Sequence, residues 1–204
     1  MDNHQDMNLN HIAIIMDGNS RWASKFNQDA SYGHIKGAKK AKEIVEIVGK
    51  YKIKHLSLYA FSMENWNRPA FEVEQLFDIF FDYLVTEEEN LYKNNIKFHF
   101  VGLLSSLPSN LQKQIHKISE LTKDNTGLNL YILFNYSGKM EILQACEKIK
   151  NTDGVFTQES LTKAMYSDEM PPVDLLIRTG GRKRVSNILP WHIAYAEICF
   201  LDIF

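Results

Sequence analysis

Apolar and polar positions follow two rhythms along this chain, and the switches between them mark out its elements. The run His11-Ile12-Ala13-Ile14-Ile15-Met16 is apolar without alternation, which predicts a strand covered on both faces, as in a parallel sheet. After a polar, turn-like stretch from Ser24 to Ser31, Ala38, Ala41, Ile44, Val45 and Val48 recur at helical spacing. His55 to Phe61 predicts a second strand. Pro69 then opens a long helix with a stripe of Val73, Leu76, Phe77, Phe80, Phe81 and Leu84. Ile96 to Gly102 alternates, which predicts a strand nearer the sheet edge, and Leu107 to Leu121 reads as an amphipathic helix. Asn125-Thr126-Gly127 turns the chain into a strand over Leu128 to Tyr136, followed by a helix around Glu141 to Ile149. Residues 151–170 are polar and irregular with some helical character, and Pro171-Pro172 introduces the last predicted strand, Val173 to Ile177.

Repeated alternation of strand and helix predicts an α/β fold: a mostly parallel central sheet with helices on both faces. With 204 residues, 45% hydrophobic and 24% charged, the chain has the length for one substantial core. We expect one domain over residues 11–204, preceded by a polar, flexible leader over 1–10. The formal charge of -2 argues against a general nucleic-acid binder, so any anion site must be local. Cys146 and Cys199 lie far apart without metal-ligand spacing, and no signal peptide or membrane-length apolar run stands out. A cytoplasmic protein is expected, with any membrane contact peripheral.

The chemistry collects at strand ends, where ligands sit in open α/β sheets. The first strand runs into Asp17-Gly18-Asn19-Ser20-Arg21-Trp22, either a common Asp-Gly turn or one wall of a site. His34 stands beside Gly33 at a helix start; it is either structural or placed to meet a phosphate or move a proton. Lys36, Lys39, Lys40 and Lys42 make a solvated face in the simpler reading, phosphate contacts in the other. The second strand ends in Ser62-Met63-Glu64-Asn65-Trp66-Asn67-Arg68, repeating the asparagine, tryptophan and arginine of the first. Val173 to Ile177 delivers Arg178-Thr179-Gly180-Gly181-Arg182-Lys183-Arg184-Val185-Ser186-Asn187. Its glycines admit close backbone approach, and its arginines can pair two phosphate oxygens at once. Glu197, in a largely apolar stretch, reads as a solvent-facing carboxylate or a metal ligand. The Phe77, Phe80 and Phe81 stripe is plain core or the wall of an apolar tunnel.

These stretches, HIAIIMDGNSRWA, the Gly-His pair, LYAFSMENWNRP, NYSGKMEI, DLLIRTGGRKRVSN and LPWHIAYAEI, resemble the cis-prenyltransferase family, in order and over nearly the whole chain. Undecaprenyl diphosphate synthase-like members are the most similar. The resemblance implies magnesium-dependent condensation of isopentenyl diphosphate onto an allylic diphosphate primer, farnesyl diphosphate above all. The product would be a long-chain polyprenyl diphosphate such as the undecaprenyl carrier precursor. It implies Asp17 as the central catalytic residue and a magnesium ligand, with Gly18, Asn19, Arg21 and His34 at the primer diphosphate and Trp22 against its apolar part. Ser62, Asn65, Trp66 and Arg68 would support primer binding, and Asn65 the condensation itself. Arg178, Arg184 and Ser186 would hold the diphosphate of isopentenyl diphosphate, and Glu197 would help hold magnesium. A homodimer, peripheral membrane contact for product release and no nucleic-acid partner are further expectations. Three departures stand out: Ala30 where an arginine is common, Arg182 where a glutamate is frequent, and an end at Phe204 without the family's arginine-bearing tail. The last raises an alternative, a weakly active or inactive subunit that binds isoprenoid diphosphates. A nucleotide-binding α/β domain would need a phosphate loop whose spacing is absent.

Overall fold

The computed structural model describes residues 9–152 and 154–204. Most of the expected leader, residues 1–8, therefore lies outside the described residues. The strands are β1 (His11–Ile15), β2 (His55–Ser62), β3 (Lys97–Val101), β4 (Asn129–Tyr136), β5 (Leu175–Arg178) and β6 (Glu197–Phe200). The helices are α1 (Asn19–Ser24), α2 (Ala30–Lys50), α3 (Ala70–Lys93), α4 (Ser109–Thr122), α5 (Gly138–Asn151) and α6 (Gln158–Ala164). All six strands form one parallel sheet in the order β3-β4-β2-β1-β5-β6, which puts β1 near its centre. Every residue of β1 is buried, as the unbroken apolar run requires. The alternating β3 lies at an edge, also as expected.

Successive side chains of a strand point to opposite faces, and the core divides accordingly. Ile12 and Ile14 of β1 join Leu56 and Leu58 of β2 and Leu130 and Ile132 of β4 in a layer closed by α2, α3 and α4. Ala13 and Ile15 face Tyr59, Tyr131 and Leu133 in a second layer, closed by Met170, Val173, Ile188 and Leu189. Buried Glu141 of α5 ties the helix to that second face: it accepts from Tyr136 Oη at 2.6 Å and from Ser167 Oγ at 2.6 Å.

Two expectations need correction. The expected turn over residues 24–31 is confined to 25–29, because α1 takes Ser24 and α2 already starts at Ala30, where Asp29 accepts a bond from Tyr32 N at 2.9 Å. Nor is β5 the last strand. After a loop of more than a dozen residues, β6 pairs Glu197 with Leu175 and forms the sheet's other edge.

Candidate active site

The strand order sets β2, β1 and β5 side by side, so three carboxyl ends open together. The chain leaves β1 toward β2 on one side and only later returns to its other side as β5, the kind of reversal at which α/β sheets form a crevice. A cavity of about 710 Å³ lies here, with polar residues at the strand ends and an apolar depth between the sheet, α2 and α3. Sites for small ligands commonly span ~300–1,000 Å³.

Asp17 stands at the centre of the polar end. Its Oδ2 accepts from Arg178 Nη2 at 2.8 Å and its Oδ1 pairs with Arg21 Nη2 at 3.0 Å. Burial pushes the Asp17 carboxyl up, but the hydrogen bonds and charges of Arg178 and Arg21 outweigh it and hold the carboxyl below its ordinary value. Both arginines are themselves fixed. Arg21 Nη1 donates to the Gly180 carbonyl at 2.5 Å, while Arg178 Nη1 donates to Ser186 Oγ at 2.6 Å and to the Arg184 carbonyl. Arg178 is buried, and its Nε has no hydrogen-bond partner among the described residues, an orphaned donor at the cavity wall. Gly18 bends the chain with φ 111°, a conformation that strains any other residue. The α1–α2 contact is equally tight: a Cβ on Gly33 would lie 2.2 Å from the Asn19 carbonyl oxygen.

The cavity is lined further by His34 of α2 and by the turn after β2. His34 Nε2 lies 3.3 Å from Ser20 Oγ. Burial lowers its pKa to about 4, helped by the nearby charge of Arg68, so at neutral pH the ring is uncharged. Ser62 N donates to Asn65 Oδ1 at 3.0 Å, which closes the turn and sets Asn65 and Arg68 on the cavity. Behind them the apolar depth is lined by Ala38 and Ala41 of α2, Leu76, Ile79 and Phe80 of α3, and Phe134 of β4.

The cavity thus brings together Asp17, Gly18, Asn19, Arg21, His34, Ser62, Asn65, Arg68, Arg178, Arg184 and Ser186. It does not bring in Trp22, Trp66 or Glu197. Trp22 packs against Phe26 and Tyr32, with ring centroids 4.9 and 5.9 Å away. Trp66 Nε1 is tied to Asn135 Oδ1 at 2.8 Å and its ring meets Phe61 and Phe77 edge-on. Glu197 opens β6 level with Leu175, at the end of the sheet away from Asp17. Of the aromatic stripe only Phe80 reaches the cavity, because Phe77 and Phe81 point into the packed layer. The early lysines of α2 stay outside, with Lys40 paired to Glu43 and Lys42 to Glu87. Ser20, Glu64 and Asn187 also line the cavity, and each sits inside one of the motifs without being marked by it.

Among the described residues no group of three or more His, Cys, Asp or Glu is placed to hold a metal ion. Two carboxylates, Asp17 and Glu64, line the cavity, and an oxygen-seeking ion such as magnesium would take Asp17 as its protein ligand beside the arginines that mark the phosphate end.

Fold and cavity define an α/β protein whose site joins an arginine-rich polar end to an apolar depth. Comparison with known proteins makes this specific. The family model for undecaprenyl diphosphate synthase matches residues 15–204. An isoprenyl transferase of Fusobacterium nucleatum is 44% identical over 194 residues, covering 95% of this chain and 84% of that protein. A ditrans,polycis-undecaprenyl-diphosphate synthase of Buchnera aphidicola, named as (2E,6E)-farnesyl-diphosphate specific, is 42% identical over 208 residues, covering 98% and 82%. Among solved structures, lavandulyl diphosphate synthase from Lavandula x intermedia, in complex with dimethylallyl diphosphate, superimposes with TM-score 0.90 at 30% identity, covering 94% of this chain and 86% of that one. A "probable undecaprenyl diphosphate synthase" from Campylobacter jejuni gives 0.82 at 31% identity, covering 96% and 87%. The chain belongs to the undecaprenyl diphosphate synthase family, and is a transferase of the cis-prenyltransferase class.

Proposed function

We propose that this chain condenses isopentenyl diphosphate onto farnesyl diphosphate, with magnesium, to build a long-chain polyprenyl diphosphate of the undecaprenyl type. The observation that carries this reading is the cavity itself, in which the Asp17, Arg21 and Arg178 cluster opens directly onto the apolar depth beside α2 and α3. An amphiphile with a diphosphate head suits that division.

In the reaction the allylic C–O bond to the primer diphosphate breaks. The exposed carbon takes the electron pair of the isopentenyl double bond, and a proton leaves to form the new cis double bond. Negative charge grows on the departing diphosphate, so donors already aimed at it lower the barrier. Arg21 and Arg68, which both line the cavity, would take the primer diphosphate. Arg178, Arg184 and Ser186 form the second anion cradle, for isopentenyl diphosphate. The orphaned Nε of Arg178 fits this role. Asp17 would hold magnesium, which when bound would supply further neutralisation of the leaving group. His34 would hydrogen-bond a diphosphate, whose negative charge favours the protonated ring and opposes the lowering by burial. The apolar depth is the proposed tunnel for the growing tail.

We infer further that residues 11–204 work as one domain in the cytoplasm, as a homodimer, with peripheral membrane contact at product release. The exposed Ile198 on the free edge strand β6 supports self-association. No helix among the described residues is long and apolar enough to cross a membrane. Sedimentation at micromolar concentration tests the dimer, and a monomer there would remove it.

Purified chain given farnesyl diphosphate, labelled isopentenyl diphosphate and magnesium is expected to form a butanol-extractable product, lost on chelation. Primer binding without product would replace this reading by that of a binding subunit. Absence of both would sink it.

A further inference from the structure

The loop after β5 adopts an unfavourable backbone at its functional end. Ser186 (φ 47°), Asn187 (φ 61°) and Leu189 (φ 41°) all occupy the left-handed region, which only asparagine among them tolerates readily. Such a loop needs external fixing, and Asn187 supplies it. Its Oδ1 accepts from Lys139 N at 3.0 Å, and its Nδ2 donates to Ser137 Oγ at 2.8 Å and to Glu64 Oε1 at 3.0 Å. Its backbone carbonyl accepts from Gly138 N at 3.1 Å. Both donors and the acceptor of the carboxamide are used, and the backbone donor at Lys139 sets which end is oxygen. One side chain thus joins the end of β4, the start of α5 and the turn after β2. The preceding residue, Ser186, accepts from Arg178, the arginine that clamps Asp17.

We propose that Asn187 is a positioning residue for the isopentenyl diphosphate subsite. It holds Ser186 and Arg184 against Arg178, and through Glu64 it ties that subsite to the turn carrying Asn65 and Arg68. Resting on the functional reading above, this adds a determinant that acts through Ser186 and Arg184. Asn187→Gly keeps the backbone at ease while deleting the carboxamide, and Asn187→Asp keeps the acceptor while turning its donors into a carboxylate beside Glu64.

Calorimetric titration of the full chain with isopentenyl diphosphate, run beside steady-state turnover, tests this. Both Asn187 variants are expected to weaken isopentenyl diphosphate, in Kd and KM, by ~10-fold, with the farnesyl diphosphate KM within about 3-fold of the parent. Glu64→Ala, at an exposed position, is expected to give a smaller shift of the same kind, about 3-fold. Unchanged isopentenyl diphosphate affinity in Asn187→Gly would overturn the proposal, as would equal losses for both substrates that track a lower unfolding midpoint. If the parent chain neither binds isopentenyl diphosphate nor condenses it, the functional reading itself fails and takes this inference with it. Parent activity with unaltered variants defeats the positioning role alone.

Discussion

Replacing His11 by asparagine should remove close to one proton from the acid limb of the stability curve. His11 is fully buried on β1, with Nδ1 2.9 Å from the Pro171 carbonyl and Nε2 2.8 Å from Ser57 Oγ. A carbonyl only accepts, so Nδ1 carries the hydrogen and Nε2 takes one from Ser57. Burial lowers the pKa from 6.5 to about 4, with His55 and His192 adding to the fall and the carbonyls of Pro171 and Pro172 opposing it. The unfolded chain therefore binds the proton first, and stability drops as pH falls from about 6.5 through 4. At ~1.4 kcal/mol per unit the full effect is about 3 kcal/mol, of which about 2 kcal/mol develops between pH 7 and pH 5. His34 and His192, both lowered to about 4 chiefly by burial, steepen the same limb, whereas Glu141, raised chiefly by burial, works against them. Comparing parent and variant cancels these shared contributions. Urea titrations followed by tryptophan fluorescence at pH 7, 6 and 5 give the difference. His11→Asn should start lower at pH 7, by ~1–3 kcal/mol for a lost bond and a small void, and should close the gap by about 2 kcal/mol at pH 5. Parallel curves would refute the assignment of a buried, neutral His11.

Three further outcomes follow from the site. Asp17→Asn should lower turnover by ~10²-fold or more while circular dichroism stays that of the parent, because the carboxylate anchors both arginines; undiminished turnover would remove Asp17 from the reaction. Gly33→Ala should cost ~1–3 kcal/mol in denaturant titration, since its methyl would meet the Asn19 backbone, and an unshifted midpoint would contradict the α1–α2 contact. Ala41→Phe should shorten the polyprenyl product on thin-layer chromatography after dephosphorylation, because it fills the apolar depth; an unaltered length distribution would mean the tail grows elsewhere.

Periodicity finds β1 and β4 readily because both faces of each are covered and their apolar runs are nearly continuous. It misses β6, four residues at an edge with Glu197 and Ile198 exposed, and α1, six residues held mainly by a glycine start and by packing on α2. The site is legible as chemistry, since Asp17, Asn65 and Arg178 each follow an apolar run. Its assembly is not. Arg178 meets Asp17 across 161 positions only because β5 pairs with β1, and no local pattern states which strands are neighbours. Trp22, Trp66 and Glu197 show the converse, as motif residues whose own strand ends or helix faces turn them away from the cavity. Asn187 escapes because its value lies in four contacts to distant segments.

The central place of β1 has a consequence for how the chain is made. β1 gains β2 soon after it emerges from the ribosome, but its other edge stays open until β5 arrives. At ~5–20 residues per second that delay is roughly 10–30 s. Through this interval an uncharged apolar strand, Ile12 to Ile15, presents unpaired backbone groups to its surroundings. Ribosome-bound chains halted before residue 173 should therefore be the aggregation-prone species of this protein, and the ones that recruit chaperones. Pairing of β5 ends the exposure and, in the same event, delivers Arg178 to Asp17.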